Sequence, residues 1–97
     1  MSMLQEQQTM ANVEMYYRDM CPYCMRADRL LSSKGIKFKR INIWEVPGAR
    51  EEMIKRSNGL STVPQIFVDG EHLGDSDKLS ALEASGALDR LLGLPAS

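Results

Sequence analysis

The segment Cys21–Cys24, which reads Cys-Pro-Tyr-Cys, limits the possible folds of this chain more than any other feature. It stands between the mostly apolar run Val13–Tyr17, which is suited to a buried strand, and a stretch with helical spacing of apolar residues. Proline is tolerated at the first position of a helix, because the N–H that it lacks would have no partner there. Gly35 supplies the stop. We therefore expect a strand, then two cysteines at the N-terminus of a helix.

The next stretch predicts a second strand and a second helix. Apolar residues at positions 38, 41, 43 and 44 indicate the strand. Pro47-Gly48 opens the helix, Asn58-Gly59 closes it, and the charged residues between them indicate a solvated face. The aromatic side chains of Trp44 and Phe67 are expected in the core.

The last third of the chain predicts a hairpin and two short helices. The compact run Gln65–Val68 is followed by Asp69-Gly70 and then by Glu71–Leu73, an arrangement typical of a β-hairpin. His72 is expected on the surface of the second hairpin strand. Leucines at helical spacing follow from position 79 onwards, and Gly86 separates the two helices.

The order β-α-β-α-β-β-α(-α) predicts an α/β protein with a thioredoxin-like fold. A crossover helix makes the first two strands parallel, and the hairpin adds antiparallel strands to the same sheet. The result is a central four-stranded mixed sheet flanked by helices. We expect one domain over residues 12–97, preceded by a polar, Gln-rich and flexible N-terminal tail at residues 1–11.

Charge and hydropathy exclude several classes of partner. Twelve basic and 13 acidic residues leave a net charge of −1, so the chain lacks the field on which nucleic-acid and anionic-membrane binders rely. Its longest apolar runs fall far short of the roughly 20 residues that span a bilayer. The polar start does not resemble a secretory signal. We expect a cytoplasmic monomer without nucleic-acid or membrane partners.

The two cysteines are better suited to redox chemistry than to a structural role. In the chain-entropy model a disulfide that closes about four residues gives roughly 2 kcal/mol, against roughly 4.7 kcal/mol for a 100-residue loop. A structural zinc site needs four ligands, whereas the chain offers two thiols and the single imidazole of His72. No metal site is therefore expected. A Cys-x-x-Cys pair at a helix start is typical of a thiol–disulfide device in a reducing compartment.

The predicted position of the pair separates the roles of the two thiols. Unpaired N–H groups and the helix dipole favour the thiolate at Cys21, and nearby Arg18 and Arg26 act in the same direction. Cys24 lies one turn further, about 5 to 6 Å away, and can attack a mixed disulfide on Cys21. Cys21 is thus expected to attack and Cys24 to resolve. Tyr23 would leave an aromatic ring at the rim.

Two further segments can form parts of a binding site. Residues 62–64, Thr-Val-Pro, precede the hairpin, and an extended backbone there would offer N–H and C=O groups to a peptide-like ligand. Residues 74–77 stand at another helix start, where backbone donors suit a carboxylate and Asp77 suits an ammonium group. The alternative for this second segment is simple capping by Ser76 or Asp77.

These motifs, in this order and at these separations, resemble the dithiol glutaredoxins from about Asn12 to Gly93, and most of all the bacterial glutaredoxins of the third type. The resemblance implies a glutathione-dependent thiol–disulfide oxidoreductase of cell redox homeostasis. Its substrates would be glutathionylated proteins and proteins with disulfides, and glutathione would be the reductant. The alternative is a dimer that holds an iron–sulfur cluster between two Cys21 thiolates and two glutathiones.

The resemblance also implies roles for individual residues. The peptide bond before Pro64 would be cis, and the Val63 backbone would pair with the cysteinyl part of glutathione. The glutamyl end would lie at Ser76 and Asp77. The family turn is usually Gly-Gly, whereas Asp75 takes its second place here and adds a negative charge. Arg18 would meet the glycyl carboxylate, and Tyr23 would flank the ligand. The residues implied to bind glutathione are Arg18, Tyr23, Thr62, Val63, Pro64, Ser76 and Asp77.

Overall fold

A computed structural model of the chain describes residues 11–95. The predicted order of elements is confirmed. Most of the predicted N-terminal tail lies outside the described residues; Ala11 packs against the core. The elements are β1 (Val13–Tyr17), α1 (Pro22–Ser33), β2 (Lys39–Asn42), α2 (Ala49–Arg56), β3 (Gln65–Val68), β4 (Glu71–Gly74), α3 (Ser76–Ser85) and α4 (Leu88–Leu91).

The four strands form one mixed sheet in the order β2-β1-β3-β4. β1 and β2 are parallel, whereas β1–β3 and β3–β4 are antiparallel. This arrangement confirms the predicted thioredoxin-like fold. The register between β3 and β4 shifts at Ile66/Phe67, as in a β-bulge. No helix within residues 11–95 is long and apolar enough to cross a membrane.

Alternation along the strands divides the core into two layers. On one side of the sheet, Met15 and Ile66 pack with buried residues of α1, α3 and α4. On the other side, the rings of Tyr16 and Phe67 pack edge to face, with their centroids 5.6 Å apart. Met53 of α2 belongs to the same buried cluster. The expected burial of Phe67 is confirmed.

The expectation that Trp44 belongs to the core is wrong. β2 ends at Asn42, and the chain then turns instead of continuing as a strand. The amide side chain of Asn42 accepts the Trp44 N–H at 2.9 Å, a local bond that competes with strand pairing. The Trp44 side chain is therefore 62% exposed.

Arg56 fixes α2 to the sheet. Its guanidinium donates to the Glu14 carboxylate at 2.8 Å and to the Tyr16 hydroxyl at 2.8 Å. It also lies 4.2 Å from the centroid of the Phe67 ring. The hydrogen bond that Arg56 donates to Glu14 raises the pKa of Arg56 above its already high ordinary value. The second core layer is thus closed by a charged group that is hydrogen-bonded to the sheet.

Lys34 fastens the far end of α1. Its ammonium lies 2.7 Å from Glu83 of α3 and 2.7 Å from Asp89 of α4. Because the Lys34 side chain is largely covered, these pairs are screened less than surface ion pairs. The helix that begins at the cysteines is therefore held at its other end by both C-terminal helices.

Candidate active site

Cys21 caps the helix that it precedes. Its backbone is extended (φ −118°, ψ 106°), and its Sγ accepts the Cys24 N–H at 3.2 Å. Pro22 occupies the first turn, as predicted. A sulfur at this position faces the positive end of the helix dipole and a backbone donor, both of which favour negative charge. The predicted placement of the pair at a helix N-terminus is confirmed.

Cys24 lies one turn into α1, and both cysteines are free thiols. Burial, together with the hydrogen bond to Cys21, raises the pKa of the Cys24 thiol to about 12. Cys24 is therefore a neutral thiol at physiological pH, and it can share its proton with the sulfur of Cys21. This asymmetry suits a pair in which the first sulfur attacks and the second acts only afterwards.

Both thiols are nearly covered, with 3% of each cysteine exposed. The residues around them are open: Met20 is 88% exposed, and Tyr23 and Met25 are each more than half exposed. The Cys21 thiol also faces the Val63 carbonyl at 3.9 Å. A substrate sulfur must consequently approach Cys21 past the exposed side chains of Met20, Tyr23 and Met25.

The raised pKa of Cys24 predicts that the reduced protein loses stability in alkali. An unfolded thiol ionises near pH 8.5, whereas Cys24 in the folded chain keeps its proton to about pH 12. Above about pH 8.5 the unfolded state binds fewer protons, so the free energy of unfolding falls as pH rises toward 12. Urea unfolding of the reduced protein at pH 8, 9 and 10 measures this fall. The Cys24→Ala variant lacks this titration and should lose less; parallel curves would contradict the assignment.

The Thr62–Pro64 segment lies beside the thiols. The Val63-Pro64 bond is cis, as the resemblance implied. Val63 takes no part in the sheet, because pairing with β1 starts at Gln65. A cavity of about 340 Å³ opens against this segment, and its walls join most of the predicted binding residues. They are Tyr23, Thr62, Val63, Pro64, Ser76 and Asp77, and Asp75 completes the lining.

The start of α3 corrects one expectation. Asp75 is the N-cap, whereas Ser76 and Asp77 were the expected caps. Its extended backbone lets Oδ1 accept the Lys78 N–H at 3.0 Å, so Ser76 and Asp77 fall inside the first turn. The Ser76 hydroxyl is buried and makes no hydrogen bond to any other described residue. Capping by Asp75 therefore leaves the side chains of Ser76 and Asp77 without a capping role, and both residues line the cavity.

The turn before α3 requires glycine at position 74 alone. Gly74 has φ +137°, and a Cβ there would lie 2.8 Å from the Cβ of Lys78. Asp75 has φ −101° and ψ −166°, which any residue adopts. The departure from Gly-Gly at this turn thus introduces no backbone strain, and the added carboxylate is engaged as the helix cap.

Arg18 borders a second cavity, of about 360 Å³, on the other side of the Thr62–Val63 segment. Its guanidinium donates to the main-chain carbonyls of Asp19 and Met20 and lies 5.5 Å from the centre of the Trp44 ring. Arg50 lies in the same wall. Two guanidinium groups at one cavity suit a carboxylate ligand.

Arg50 and Trp44 both line the cavity that Arg18 borders, although the sequence pattern predicts other roles for them. Arg50 was grouped with the solvated charges of α2, and Trp44 with the core. Arg50 did carry a signal, because a cation in the first turn of a helix is opposed by the helix dipole. The acidic residues Glu51 and Glu52 share that turn, and Arg50 lines the cavity together with Arg18.

The sequence and the fold of the chain are similar to those of known proteins. The family model described as Glutaredoxin matches residues 13–73. Glutaredoxin 3 of Escherichia coli strain K12 is 58% identical over 83 residues, which cover 86% of this chain and 99% of that protein. The solution structure of a Brucella melitensis glutaredoxin is 46% identical, with a TM-score of 0.75 over 88% of this chain and 91% of that one. A buckwheat glutaredoxin–glutathione complex shares the fold at 20% identity, with a TM-score of 0.77 over 88% and 83%.

Proposed function

The chain belongs to the glutaredoxin family of thiol oxidoreductases, and from this we propose that Cys21 and Cys24 carry out its glutathione-dependent thiol–disulfide exchange. One observation carries the assignment of roles. The Cys21 sulfur caps α1 and accepts a backbone N–H, whereas burial keeps Cys24 protonated. The two thiols are therefore unequal in the way that sequential attack requires.

For glutathionylated substrates, Cys21 alone completes the cycle. Its thiolate attacks the glutathionyl sulfur, the substrate–glutathione disulfide breaks, and the substrate leaves as a thiolate that takes up a proton. A second glutathione thiolate then attacks the glutathionyl sulfur held on Cys21. Oxidised glutathione leaves, and the Cys21 thiolate returns to its place against the Cys24 N–H.

For protein disulfides, both thiols are needed. Cys21 forms a mixed disulfide with one substrate sulfur and releases the other. Cys24 then loses its proton, attacks the Cys21 sulfur and releases the reduced substrate. Two glutathiones reduce the resulting Cys21–Cys24 disulfide in turn. The Cys21 thiolate is one cause of the high pKa of Cys24, and its charge disappears when Cys21 forms the mixed disulfide. Cys24 can therefore lose its proton more easily after the first attack than before it.

The cavity beside the thiols fits the glutamyl and cysteinyl parts of glutathione. The Val63 main chain lies outside the sheet and close to Cys21, where it can pair with the cysteinyl backbone. The N-terminal turn of α3, which includes Ser76, offers backbone donors to a carboxylate, and Asp77 offers an acceptor to an ammonium group. The buckwheat relative of the same fold is described in complex with glutathione, which supports this ligand.

The second cavity fits the glycyl carboxylate of the same ligand. Arg18 and Arg50 both line it, so two cations can meet one anion. We predict that Arg50→Gln raises the KM for a glutathionylated substrate about two- to fivefold, the range of a solvent-exposed charge pair, and leaves kcat unchanged. Lys55→Gln is the matched control, because it removes the same charge from an exposed position of α2 outside the cavity. Equal KM values for the two variants would contradict the role of Arg50.

The activity is tested with a small glutathionylated disulfide and a titration of glutathione. We expect turnover that depends on glutathione; its absence in the wild type would refute the proposal. We also propose that residues 12–97 act as one cytoplasmic, monomeric domain on protein thiols, to be checked by sedimentation and by fractionation. The cluster-holding dimer is not better supported, and a colourless protein after anaerobic reconstitution would exclude it.

A further inference from the structure

A buried amide links the hairpin to the segment beside the thiols. Gln65 is fully buried, and its Nε2 donates to the Thr62 carbonyl at 3.0 Å and to the Thr62 hydroxyl at 3.3 Å. Its Oε1 lies 2.6 Å from Nε2 of His72 on the neighbouring strand β4. A chain of side-chain hydrogen bonds thus runs from an exposed strand to Thr62.

The chemistry of the groups fixes the orientation of the Gln65 amide and the donor nitrogen of His72. A main-chain carbonyl can only accept, so the Gln65 atom facing Thr62 must be the amide nitrogen. The other end of the amide is therefore the oxygen, which can only accept. His72 must then donate from Nε2, as it does in the Nε2–H tautomer and in the imidazolium form. The His72–Gln65 bond survives in either state of the ring.

The rest of the His72 ring is held in place by packing. It lies 5.1 Å from the Phe67 ring, centroid to centroid, at an angle of 41°. Phe67 itself is fully buried in the second core layer. The donor nitrogen is consequently aimed by the core, although His72 lies at the surface of the sheet.

We propose that Gln65 and His72 are positioning residues that set the Thr62–Val63 main chain for glutathione recognition. Strand pairing does not hold the Thr62–Val63 main chain, because Val63 lies outside the sheet. The hydrogen bond from Gln65 to the Thr62 carbonyl holds it instead. Without the His72 donor, the buried Gln65 oxygen loses its partner and the amide can turn away from Thr62. This inference rests on the proposed function, because it concerns the ligand of that same segment.

Two substitutions of His72 separate the hydrogen bond from the packing. His72→Phe keeps a ring against Phe67 but has no donor, whereas His72→Gln gives up the ring and keeps an amide donor near the position of Nε2. We expect His72→Phe to raise the KM for a glutathionylated substrate about two- to tenfold, with kcat unchanged. We expect His72→Gln to restore most of the wild-type KM.

NMR spectra of the His72 ring nitrogens and of the backbone amides test the hydrogen bonds separately from the packing of the ring. In the wild type, neutral His72 should carry its proton on Nε2, and the Thr62 and Val63 amide signals should shift in His72→Phe and return in His72→Gln. A proton on Nδ1, or unchanged KM and amide signals in His72→Phe, would overturn the inference. Absence of wild-type turnover would instead refute the proposed function, and the amide signals would still decide the positioning role.

Discussion

Replacing Cys21 with serine should abolish turnover of both glutathionylated substrates and protein disulfides. The hydroxyl keeps the capping geometry, since it can accept the Cys24 N–H as the sulfur does. It is far less acidic than a thiol and cannot attack a disulfide at neutral pH. The remaining thiol, Cys24, is buried and protonated and cannot take over the attack. Activity at the level of the uncatalysed exchange is therefore the expected result.

Cys24→Ser is the matched variant, and it should divide the two activities. Turnover of a glutathionylated substrate needs only Cys21 and should stay within about tenfold of the wild type. Reduction of a protein disulfide should stop at the mixed disulfide, which mass spectrometry can detect on Cys21. Loss of the first activity in Cys24→Ser, or residual activity in Cys21→Ser, would show that the roles have been assigned wrongly.

Phe67→Ala should produce the largest loss of stability in the described structure. The ring fills the second core layer, packs edge to face on Tyr16 and supports the guanidinium of Arg56 at 4.2 Å. Removal of a fully buried phenylalanine side chain costs about 3 to 5 kcal/mol. The midpoint of urea unfolding, at constant slope, measures this loss.

Trp44→Ala is the control for Phe67→Ala, because the tryptophan is of similar size and 62% exposed. Its loss should change the free energy of unfolding by less than about 1 kcal/mol, since most of the side chain is exposed and its ring contacts the surface residue Arg18. A comparable loss in both variants would mean that Trp44 is packed in solution. A small loss in Phe67→Ala would contradict the burial of that ring.

The order of the elements could be predicted because local signals agreed with one another. Pro22 marks the start of α1, Gly35 follows its end, and Asp69-Gly70 forms the hairpin turn. Parallel pairing of β1 and β2 then follows from the crossover. The cysteine positions are confirmed for the same reason, since each depends only on residues close by in the chain.

The two wrong predictions, the burial of Trp44 and the cap of α3, concern places where one sequence pattern allows two local structures. A side-chain hydrogen bond decides between them in each case. The apolar residues near Trp44 continue the alternation of a strand, but the Asn42 side chain captures the Trp44 N–H and ends β2. At α3, three polar residues in a row can each cap a helix, and only the extended backbone after Gly74 selects Asp75. Neither choice can be made from residue type alone.

Contacts between segments that are distant in the chain could not be predicted from the sequence pattern. Gln65 looks like an ordinary strand residue, and its bond to His72 requires the pairing of β3 with β4. Arg18, which follows β1, and Arg50 of α2 line one cavity although they are far apart in the chain. Such neighbours depend on tertiary pairing, which composition and spacing do not encode.

The order β2-β1-β3-β4 also leaves two strand edges unpaired within the described residues. Open edges can recruit strands from other molecules and so begin aggregation. Here each edge strand has four residues, and each carries exposed charged or polar side chains, Lys39 and Arg40 on one edge and Glu71 and His72 on the other. Charged, short edges discourage such recruitment. The edges of this sheet, at β2 and β4, therefore disfavour the strand-by-strand growth of a fibril.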